Sequence, residues 1–246
     1  MKALTVANLC KSFEGLHAVE GANFSVERGE RLVIIGPNGA GKTTLFNLVT
    51  GDLAPSSGRI YFFGQDITRM AIHRRARLGM ARTFQLTNLF PNLTLFDAIF
   101  LAVAGMSALK FTMHRPVGSC KDLLSKAERM VAQWGLRENQ GTLIQDLSYG
   151  VQRQLEVVMT LASGAKLLLL DEPTAGLSPA ERGTLVSMIL NLDPDVTLIT
   201  IEHDMDVAFQ VARRMIVLHQ GRVLAEGSPE EIKANSRVRE IYLGQQ

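Results

Sequence analysis

The chain has 246 residues, of which 46% are hydrophobic; this suffices for one large domain with a substantial core and excludes a disordered polypeptide. The formal net charge of +2 does not indicate a nucleic-acid partner, and the first residues lack the long apolar core of a signal peptide. Cys10 and Cys120 lie far apart without metal-ligand spacing, so we expect reduced thiols in a cytosolic protein.

The first part of the chain contains short hydrophobic runs separated by turn residues, which predict β-strands. The runs are ALTVANL, GANFSVERGE, RLVIIG and GRIYFFG. After its arginine, RLVIIG is apolar throughout and ends in glycine. This pattern is typical of a strand that is buried on both faces of a sheet.

The stretch GPNGAGKTT directly follows that strand and precedes the helical pattern LFNLVTG, so it matches the phosphate-binding loop G-x-x-x-x-G-K-[ST] in its expected context. Its glycines let successive backbone N–H groups converge on phosphate oxygens. We expect Lys42 to reach the β- and γ-phosphates and the Thr43 hydroxyl to bind Mg²⁺. A turn that only links strand to helix is the disfavoured alternative. The predicted nucleotide-binding residues of the loop are Gly36, Pro37, Asn38, Gly39, Ala40, Gly41, Lys42, Thr43 and Thr44.

From about residue 86 to residue 145 the pattern becomes helical. Its richest apolar stretch, LTLFDAIFLAVAGM, is interrupted by Asp97 and is too short to span a bilayer, so any membrane role must come through a partner. Thr94 and Asp97 resemble an N-terminal helix cap. After Ser148, buried strands again alternate with helices. That alternation indicates a parallel α/β core with a mostly helical segment inserted.

The stretch DLSYGVQRQLE begins the helix that follows this segment. Ser148 is a good N-cap, because its hydroxyl can accept a hydrogen bond from a free backbone N–H. Gly150 places bare backbone in the first turn, although glycine costs a helix about 1 kcal/mol relative to alanine. A hydroxyl and a bare backbone at a helix N-terminus form a second anion site. The alternative is that Ser148 only caps the helix.

Two further strands end in polar residues. KLLLLDE predicts a buried strand with two carboxylates at its carboxyl end, where α/β sheets bind ligands. Asp171 is suited to hold Mg²⁺ through water, and Glu172 to orient and deprotonate an attacking water. LITIEHD ends another buried strand. There His203 either contacts the γ-phosphate or the attacking water, or has a structural role.

The phosphate loop, RTFQ, LSYGVQ, LLLLDEP, AGLSPAE and IEHD occur in this order, and over essentially its whole length the chain resembles the ATP-binding subunits of ABC transporters. The resemblance implies that Gln85 contacts Mg²⁺ and the γ-phosphate and links to the membrane subunit. It also implies that Phe13 stacks on adenine and that His203 touches the γ-phosphate, so His203 and Gln85 join Glu172 as catalytic candidates. For Phe13, a core aromatic in a strand is the alternative. For Gln85, the alternative is a surface amide.

Within the family, RTFQ with LFPNLTLFDAI, IEHDM and VREIYLG is most similar to the ATPases of branched-chain amino acid importers, and to related importers for urea and short amides. The ATPase of lipopolysaccharide export shares a similar YLG and is the alternative. Soluble ABC proteins that act on ribosomes or DNA form another class, but they usually carry two cassettes or long insertions, and this chain has one cassette.

The resemblance implies an α/β fold: a P-loop ATPase core with a mostly parallel sheet, an antiparallel β portion, and one domain over residues 1–246 with a helical subdomain at about 86–160. It implies that the chain hydrolyses ATP with Mg²⁺. The implied partners are membrane permease subunits, a second ATPase subunit of the same or a paralogous kind and, indirectly, an external substrate-binding protein, with no nucleic acid. The implied location is peripheral, on the cytoplasmic face of the inner membrane. Ser148 and Gly150 then face the γ-phosphate of ATP bound to the other subunit.

The chain departs from the family pattern at Tyr149, Val151 and Ser178, where the family usually has Gly, Gln and Asp. Tyr149 is similar to the branched-chain group. Ser178, Pro179 and Glu181 also form a good capping box, so a structural role for Ser178 is as well supported as a functional one. The apolar residues Leu89, Phe90, Leu93, Leu95 and Phe96 either form a docking patch for a permease or pack in the helical segment's own core.

Overall fold

The computed structural model describes residues 1–83, 89–105 and 120–243. Its strands are β1 (Lys2–Phe13), β2 (Leu16–Glu27), β3 (Arg31–Ile35), β4 (Ser57–Phe62), β5 (Gln65–Asp66), β6 (Met80–Arg82), β7 (Leu167–Asp171), β8 (Thr197–Ile201), β9 (Arg214–His219) and β10 (Arg222–Gly227). Its helices are α1 (Lys42–Thr50), α2 (Ile72–Leu78), α3 (Leu95–Gly105), α4 (Lys121–Gln133), α5 (Tyr149–Ala162), α6 (Pro179–Leu190), α7 (Met205–Val211), α8 (Pro229–Ala234) and α9 (Ser236–Leu243).

The larger sheet has the strand order β10-β9-β3-β8-β7-β6. The strands from β9 to β6 are parallel, and β10 is antiparallel to β9. Every residue of β7 and β8 is buried, as expected for apolar runs that are covered on both faces. Because β3, β7 and β8 are parallel, their carboxyl ends meet at one edge of the sheet, where ligands bind in this class of fold.

The smaller sheet is antiparallel, with the order β2-β1-β4-β5. Its buried residues share one hydrophobic cluster with α1 and one face of the larger sheet; Leu4, Val6, Phe24, Phe46 and Ile60 are members. A second cluster covers the other face of the larger sheet. The two sheets therefore enclose α1, the helix that follows the phosphate loop.

Arg75 of α2 fixes the far end of α1. Its side chain is 2% exposed and donates hydrogen bonds to the carbonyl oxygens of Leu48, at 2.9 Å, and Val49, at 2.6 Å. It also donates to the carbonyl oxygen of Met70 at 2.8 Å. A cation that satisfies the last carbonyls of a helix interacts favourably with the helix dipole, so Arg75 anchors α1 at its C-terminus.

Helices α3, α4 and α5 follow β6 and precede β7 in the chain, and they pack on one another. Thr94 accepts a hydrogen bond from the Asp97 N–H at 3.1 Å, which confirms the predicted cap of α3. Leu95 is fully buried, whereas Phe90 is 62% exposed. Three further apolar residues of this segment pack against the core: Leu89, Leu93 and Phe96. The core interpretation therefore holds for these side chains but not for Phe90.

The architecture confirms the predicted fold class: a mostly parallel α/β core, an antiparallel β portion and a helical segment inserted between β6 and β7. The predicted start of the helical subdomain, near residue 86, lies outside the described residues, so the domain limits stay a prediction. In the described ranges, no helix has both the length and the apolar character needed to cross a bilayer.

Candidate active site

The loop between β3 and α1 has the backbone that a phosphate loop requires. Gly39 and Gly41 have φ angles of 77° and 98°, in the left-handed region that favours glycine. A side chain at position 41 would also overlap the carbonyl oxygen of Ala18. Because α1 begins at Lys42 without a side-chain cap, its first N–H groups face the loop. The loop is therefore built to bind an anion.

The side chain of Lys42 lies along this loop and is only 6% exposed. Its ammonium donates hydrogen bonds to the carbonyl oxygens of Gly36, at 2.6 Å, and Pro37, at 2.9 Å. Burial lowers the pKa of Lys42, while the nearby charges of Glu172 and Asp171 act to raise it. The predicted loop cation is thus held between the loop and the two carboxylates.

A cleft of about 660 Å³ brings together residues that the sequence predicted separately. Ten residues that the sequence predicted for the site line this cleft: Phe13, Asn38, Gly39, Ala40, Gly41, Lys42, Thr43, Thr44, Glu172 and His203. Gly36, Pro37 and Asp171 do not line it, although the first two bind Lys42. His17 and Gln220 also line the cleft, and neither belongs to a recognisable motif. Most of the predicted site is therefore one continuous surface.

Glu172 and His203 form a pair at the ends of the neighbouring strands β7 and β8. The distance from Nε2 of His203 to Oε1 of Glu172 is 2.6 Å. Glu172 has a φ of 48°, a left-handed conformation that costs an L-residue about 1–2 kcal/mol. Such strain is commonly kept at functional sites because it aims a side chain. Here it accompanies a carboxylate that faces the phosphate loop across the cleft.

Asp171 has a partner that sequence reasoning missed. It is 2% exposed, and its Oδ2 accepts a hydrogen bond from Nη2 of Arg82 at 2.8 Å. Arg82 also donates to Oδ1 of Asn47, at 2.5 Å, and forms an ion pair with Asp52 at 3.4 Å. Arg82 is the first residue of RTFQ, and parallel pairing of β6 with β7 brings it to Asp171. The sequence showed Arg82 as part of RTFQ, but only Gln85 of that motif was assigned a role.

The donors predicted for Mg²⁺ are of a suitable kind. Thr43 supplies a hydroxyl in the cleft and Asp171 a buried carboxylate, and Mg²⁺ prefers such oxygen ligands together with water and phosphate. The third predicted ligand, Gln85, lies outside the described residues. Across residues 1–83, 89–105 and 120–243, no group of three or more His, Cys, Asp or Glu side chains could hold a metal. Thr43 and Asp171 are therefore oxygen donors of the kind that would hold Mg²⁺.

Phe13 stands at the end of β1, and its ring is 41% exposed. The ring lines the cleft, and the Lys11 ammonium lies 4.9 Å from its centroid. Phe13 is therefore not a buried core aromatic, and its exposed ring offers a face on which another planar group can stack.

Glu202, which immediately precedes His203, is a buried acid. It is 3% exposed, and its Oε2 accepts a hydrogen bond from Thr174 at 3.0 Å. Its Oε1 is buried without a hydrogen-bond partner among the described residues. Burial raises the pKa of Glu202 to about 8. The hydrogen bond from Thr174 lowers this pKa, and the nearby charges of Asp204 and Glu172 raise it further. A neutral carboxyl group therefore lies next to the Glu172–His203 pair at pH 7.

Ser148 and Gly150 lie outside the cleft lining. The hydroxyl of Ser148 accepts a hydrogen bond from the Val151 N–H at 3.3 Å, which confirms the predicted cap of α5. The N–H of Gly150 donates to Oε1 of Glu181 at 3.2 Å. The predicted second anion site thus already binds a carboxylate of the same chain, which the sequence did not indicate.

The C-terminal helix also reaches the phosphate loop. Tyr242 of α9 packs against the core and forms a hydrogen bond with the backbone of Gly36. Burial raises the pKa of Tyr242 to about 12, although the hydrogen bond with Gly36 acts to lower this pKa. Tyr242 of the VREIYLG stretch is therefore in contact with the loop that begins the site.

Two family models match parts of this chain, and known relatives match nearly all of it. Residues 19–175 match the family model described as ABC transporter, and residues 222–246 match the one described as branched-chain amino acid ATP-binding cassette transporter. The high-affinity branched-chain amino acid transport ATP-binding protein BraF of Pseudomonas aeruginosa is 36% identical over 253 residues, which cover 98% of each chain. The lipopolysaccharide export system ATP-binding protein LptB of Haemophilus influenzae is 29% identical over 247 residues, covering 100% of this chain and 99% of that protein.

The fold is similarly matched by solved structures. A crystal structure of an ATP-binding cassette of an ABC transporter, in its ADP conformation, has a TM-score of 0.86 and 30% sequence identity to this chain. The match covers 99% of each chain. The similarity therefore includes both sheets, the helical segment and the C-terminal helix.

Proposed function

Because this chain belongs to the family of ABC transporter ATP-binding proteins, we propose that it is the ATP-hydrolysing subunit of a branched-chain amino acid importer. The observation that carries the proposal is the cleft in which the phosphate loop, Glu172 and His203 meet. The match of residues 222–246 and the higher identity to the branched-chain relative favour amino acids over lipopolysaccharide as the transported solute.

The phosphate loop and Phe13 bind the nucleotide in this proposal. The N–H groups around Gly39 and Gly41 and the Lys42 ammonium bind the phosphates, since they present donors and positive charge to the cleft. The exposed ring of Phe13, which also lines the cleft, stacks on the adenine. The carbonyls of Gly36 and Pro37 keep Lys42 in place along the loop.

Glu172 acts as the general base. Its carboxylate lines the cleft and takes a proton from the water that attacks the γ-phosphate. The bond from His203 orients the carboxylate, and His203 also contacts the γ-phosphate. Thr43, Asp171 and Gln85 would hold Mg²⁺, which would neutralise negative charge on the phosphates.

The complete site is shared between two chains. Ser148 and Gly150 lie outside the cleft of their own chain, and Ser148 is on the surface. The Ser148 hydroxyl, beside the backbone of Gly150, binds the γ-phosphate of the nucleotide held by a second ATPase subunit, which is either another copy or a paralogous chain. Two such cassettes close around two ATP molecules and separate after hydrolysis.

The transport function requires partners. Membrane permease subunits carry the solute, and an external substrate-binding protein delivers it. This chain is placed peripherally, on the cytoplasmic face of the inner membrane. The 62% exposed ring of Phe90, next to the helical segment, is a candidate contact to the permease, because it is a large apolar side chain that the protein's own core does not cover.

An uptake assay tests the proposed function. In cells that lack this gene, we expect uptake of radiolabelled leucine, isoleucine and valine at low concentration to fall, and the wild-type gene to restore it. The Glu172→Gln variant should not restore uptake, whereas a surface variant such as Lys233→Ala should. Normal amino-acid uptake, with a defect in lipopolysaccharide export or in urea uptake instead, would overturn the assignment of the solute.

A further inference from the structure

Two helices of the molecule begin with the same capping design. Ser178, Pro179 and Glu181 begin α6, and Ser228, Pro229 and Glu231 begin α8; both form complete capping boxes. In each box, Oε2 of the glutamate accepts a hydrogen bond from the serine N–H, at 3.0 Å in α6 and 2.8 Å in α8. The two glutamates therefore perform the same local task.

The glutamates differ in what their second carboxylate oxygen does. Oε1 of Glu181 accepts a hydrogen bond from the N–H of Gly150, at 3.2 Å, in the first turn of α5. Within the described part of the chain, Glu231 has no hydrogen bond outside its own box. Glu181 thus joins two helix N-termini, whereas Glu231 serves one.

The approach of Glu181 to α5 depends on a glycine. A Cβ atom at position 150 would lie 2.6 Å from both Cγ and Cδ of Glu181, so no larger residue fits without moving the carboxylate. The neighbouring Tyr149 contacts the same region, because a Cβ at Gly176 would lie 3.3 Å from Cε1 of its ring. The first turn of α5 therefore packs on the segment that runs from Glu172 to α6.

The charge on Glu181 suits this double role. Hydrogen bonds from the Ser178 hydroxyl and the Ser178 N–H, and a weaker one from the Gly150 N–H, lower the pKa of Glu181. The carboxylate is therefore ionised at neutral pH, and the positive ends of two helix dipoles point at it. It can accept from both helices at once, which a glutamine amide cannot do because one of its two ends is a donor.

We propose that Glu181 is a positioning residue that ties the Ser148 turn to the loop carrying Glu172, so that a ligand bound at Ser148 changes the position of the catalytic base in the same chain. The inference rests on the proposed function, in which Ser148 binds the nucleotide of the partner subunit. Glu181 then couples the two nucleotide sites of the assembly: the γ-phosphate of one site acts through Ser148, Gly150 and Glu181 on Glu172 of the other.

The matched boxes supply the test. Glu181→Asp shortens the side chain by one methylene, so that it no longer reaches Gly150. Glu181→Gln replaces one of the two acceptor oxygens with a donor. The same changes at the other box, Glu231→Asp and Glu231→Gln, are the controls. We expect both pairs to lose thermal stability, and the Glu181 pair to lose somewhat more, because only Glu181 also bonds Gly150. We expect the MgATP dissociation constant of the isolated chain to stay within about twofold of wild type, because the phosphate loop is untouched. In the purified transporter complex, kcat should fall roughly 10- to 100-fold in the Glu181 variants alone, as expected for a displaced catalytic group.

A second measurement does not depend on turnover. In the wild-type chain, the amide proton resonance of Gly150 should shift as Glu181 is titrated next to it, at a pH below the ordinary range of a glutamate because the hydrogen bonds from Ser178 lower its pKa. The shift should be absent in Glu181→Gln and present in Glu231→Gln. A Gly150 resonance that does not move in the wild type would overturn the inference.

The outcomes separate the two claims. If the wild-type complex hydrolyses ATP and the Glu181 variants have the kcat of their Glu231 controls, Glu181 is only a helix cap and the inference is wrong, while the proposed function stands. If the wild-type complex and the Glu231 variants do not hydrolyse ATP, the proposed function fails and the coupling fails with it.

Discussion

The N-termini of α1 and α5 are both built to bind anions, yet their surroundings differ. At α1, Gly41 opens onto a cleft that also contains Lys42, Glu172 and His203. At α5, Ser148 lies on the surface. The anion found there is the carboxylate of Glu181, on the N–H of Gly150.

The two helices also differ in what their own cation contacts. Lys42 follows Gly41 directly and lines the cleft, whereas Arg153 of α5 is 3% exposed and binds Tyr149 at 2.9 Å and Glu156 at 2.9 Å. The first terminus therefore has its cation and its catalytic groups in one chain. At the second, Arg153 is paired with residues of its own helix and does not line the cleft.

Removing the charge at α1 should have the largest effect. In Lys42→Ala, the phosphates lose their main cation, so we expect ATP affinity or turnover to fall at least about 100-fold. Binding of a fluorescent ATP analogue and release of phosphate measure the two quantities. Lys233→Ala on α8 is the control. Normal ATPase activity in a folded Lys42→Ala protein would contradict the assignment of the phosphate loop.

Changing the base should affect hydrolysis but not binding. Glu172→Gln keeps the shape of the side chain but cannot take a proton, so we expect hydrolysis to fall about 10²–10⁴-fold while ATP still binds. Size-exclusion chromatography with MgATP should then reveal an accumulated dimer. Activity within a few-fold of wild type would move the role of base elsewhere, with His203 the next candidate.

Mixing two inactive variants compares the two termini directly. Lys42→Ala disables the α1 site, and Ser148→Arg blocks the α5 site. In a mixed dimer, one site carries both defects and the other combines an intact Lys42 with an intact Ser148. Random pairing should restore roughly a quarter of the wild-type ATPase activity if the two-fold dimer shares its sites.

The control for this mixture is each variant mixed with itself, with melting curves to confirm folding. If the natural partner is a paralogous ATPase chain, the rescue should appear only when that chain is present. No rescue in either setting would reduce Ser148 to a helix cap, whose loss costs about 1 kcal/mol.

Much of the α1 site could be predicted from the sequence, because its key residues are consecutive or end buried strands. The loop from Gly36 to Thr44 and the pair Glu172 and His203 fall into this class. The bond between Arg82 and Asp171 could not be predicted, because it depends on β6 pairing with β7 across a long insertion. The bond between Glu181 and Gly150 depends likewise on how two helices pack.

The last effect that we predict is on stability rather than on activity, and it depends on pH. The pKa of Glu202 is about 8 in the folded chain and about 4.5 when unfolded, so the folded state holds an extra proton between these values. By linkage, the contribution of Glu202 is fully present below pH 4.5 and is lost as the pH rises through 8. The loss is on the order of 4 kcal/mol.

Denaturant unfolding at several pH values measures this effect. Glu202→Gln has no proton to lose, so its stability relative to wild type should increase from pH 5 to pH 9, and the Glu231→Gln control should follow the wild type. Equal pH profiles for Glu202→Gln and wild type would contradict the neutral state of this acid beside Glu172.

The place of β3 in the larger sheet affects how the chain is made. β3 precedes the phosphate loop, yet its two neighbours come from the far end of the sequence: Val33 pairs with Thr200 of β8 and with Met215 of β9. At synthesis rates of about 5–20 residues per second, β3 leaves the ribosome roughly 10–40 s before both neighbours exist. During that time RLVIIG is an apolar segment with unpaired edges, which is the kind of segment that chaperones bind. The phosphate loop is therefore among the first parts of the site to be translated and among the last to acquire its folded environment.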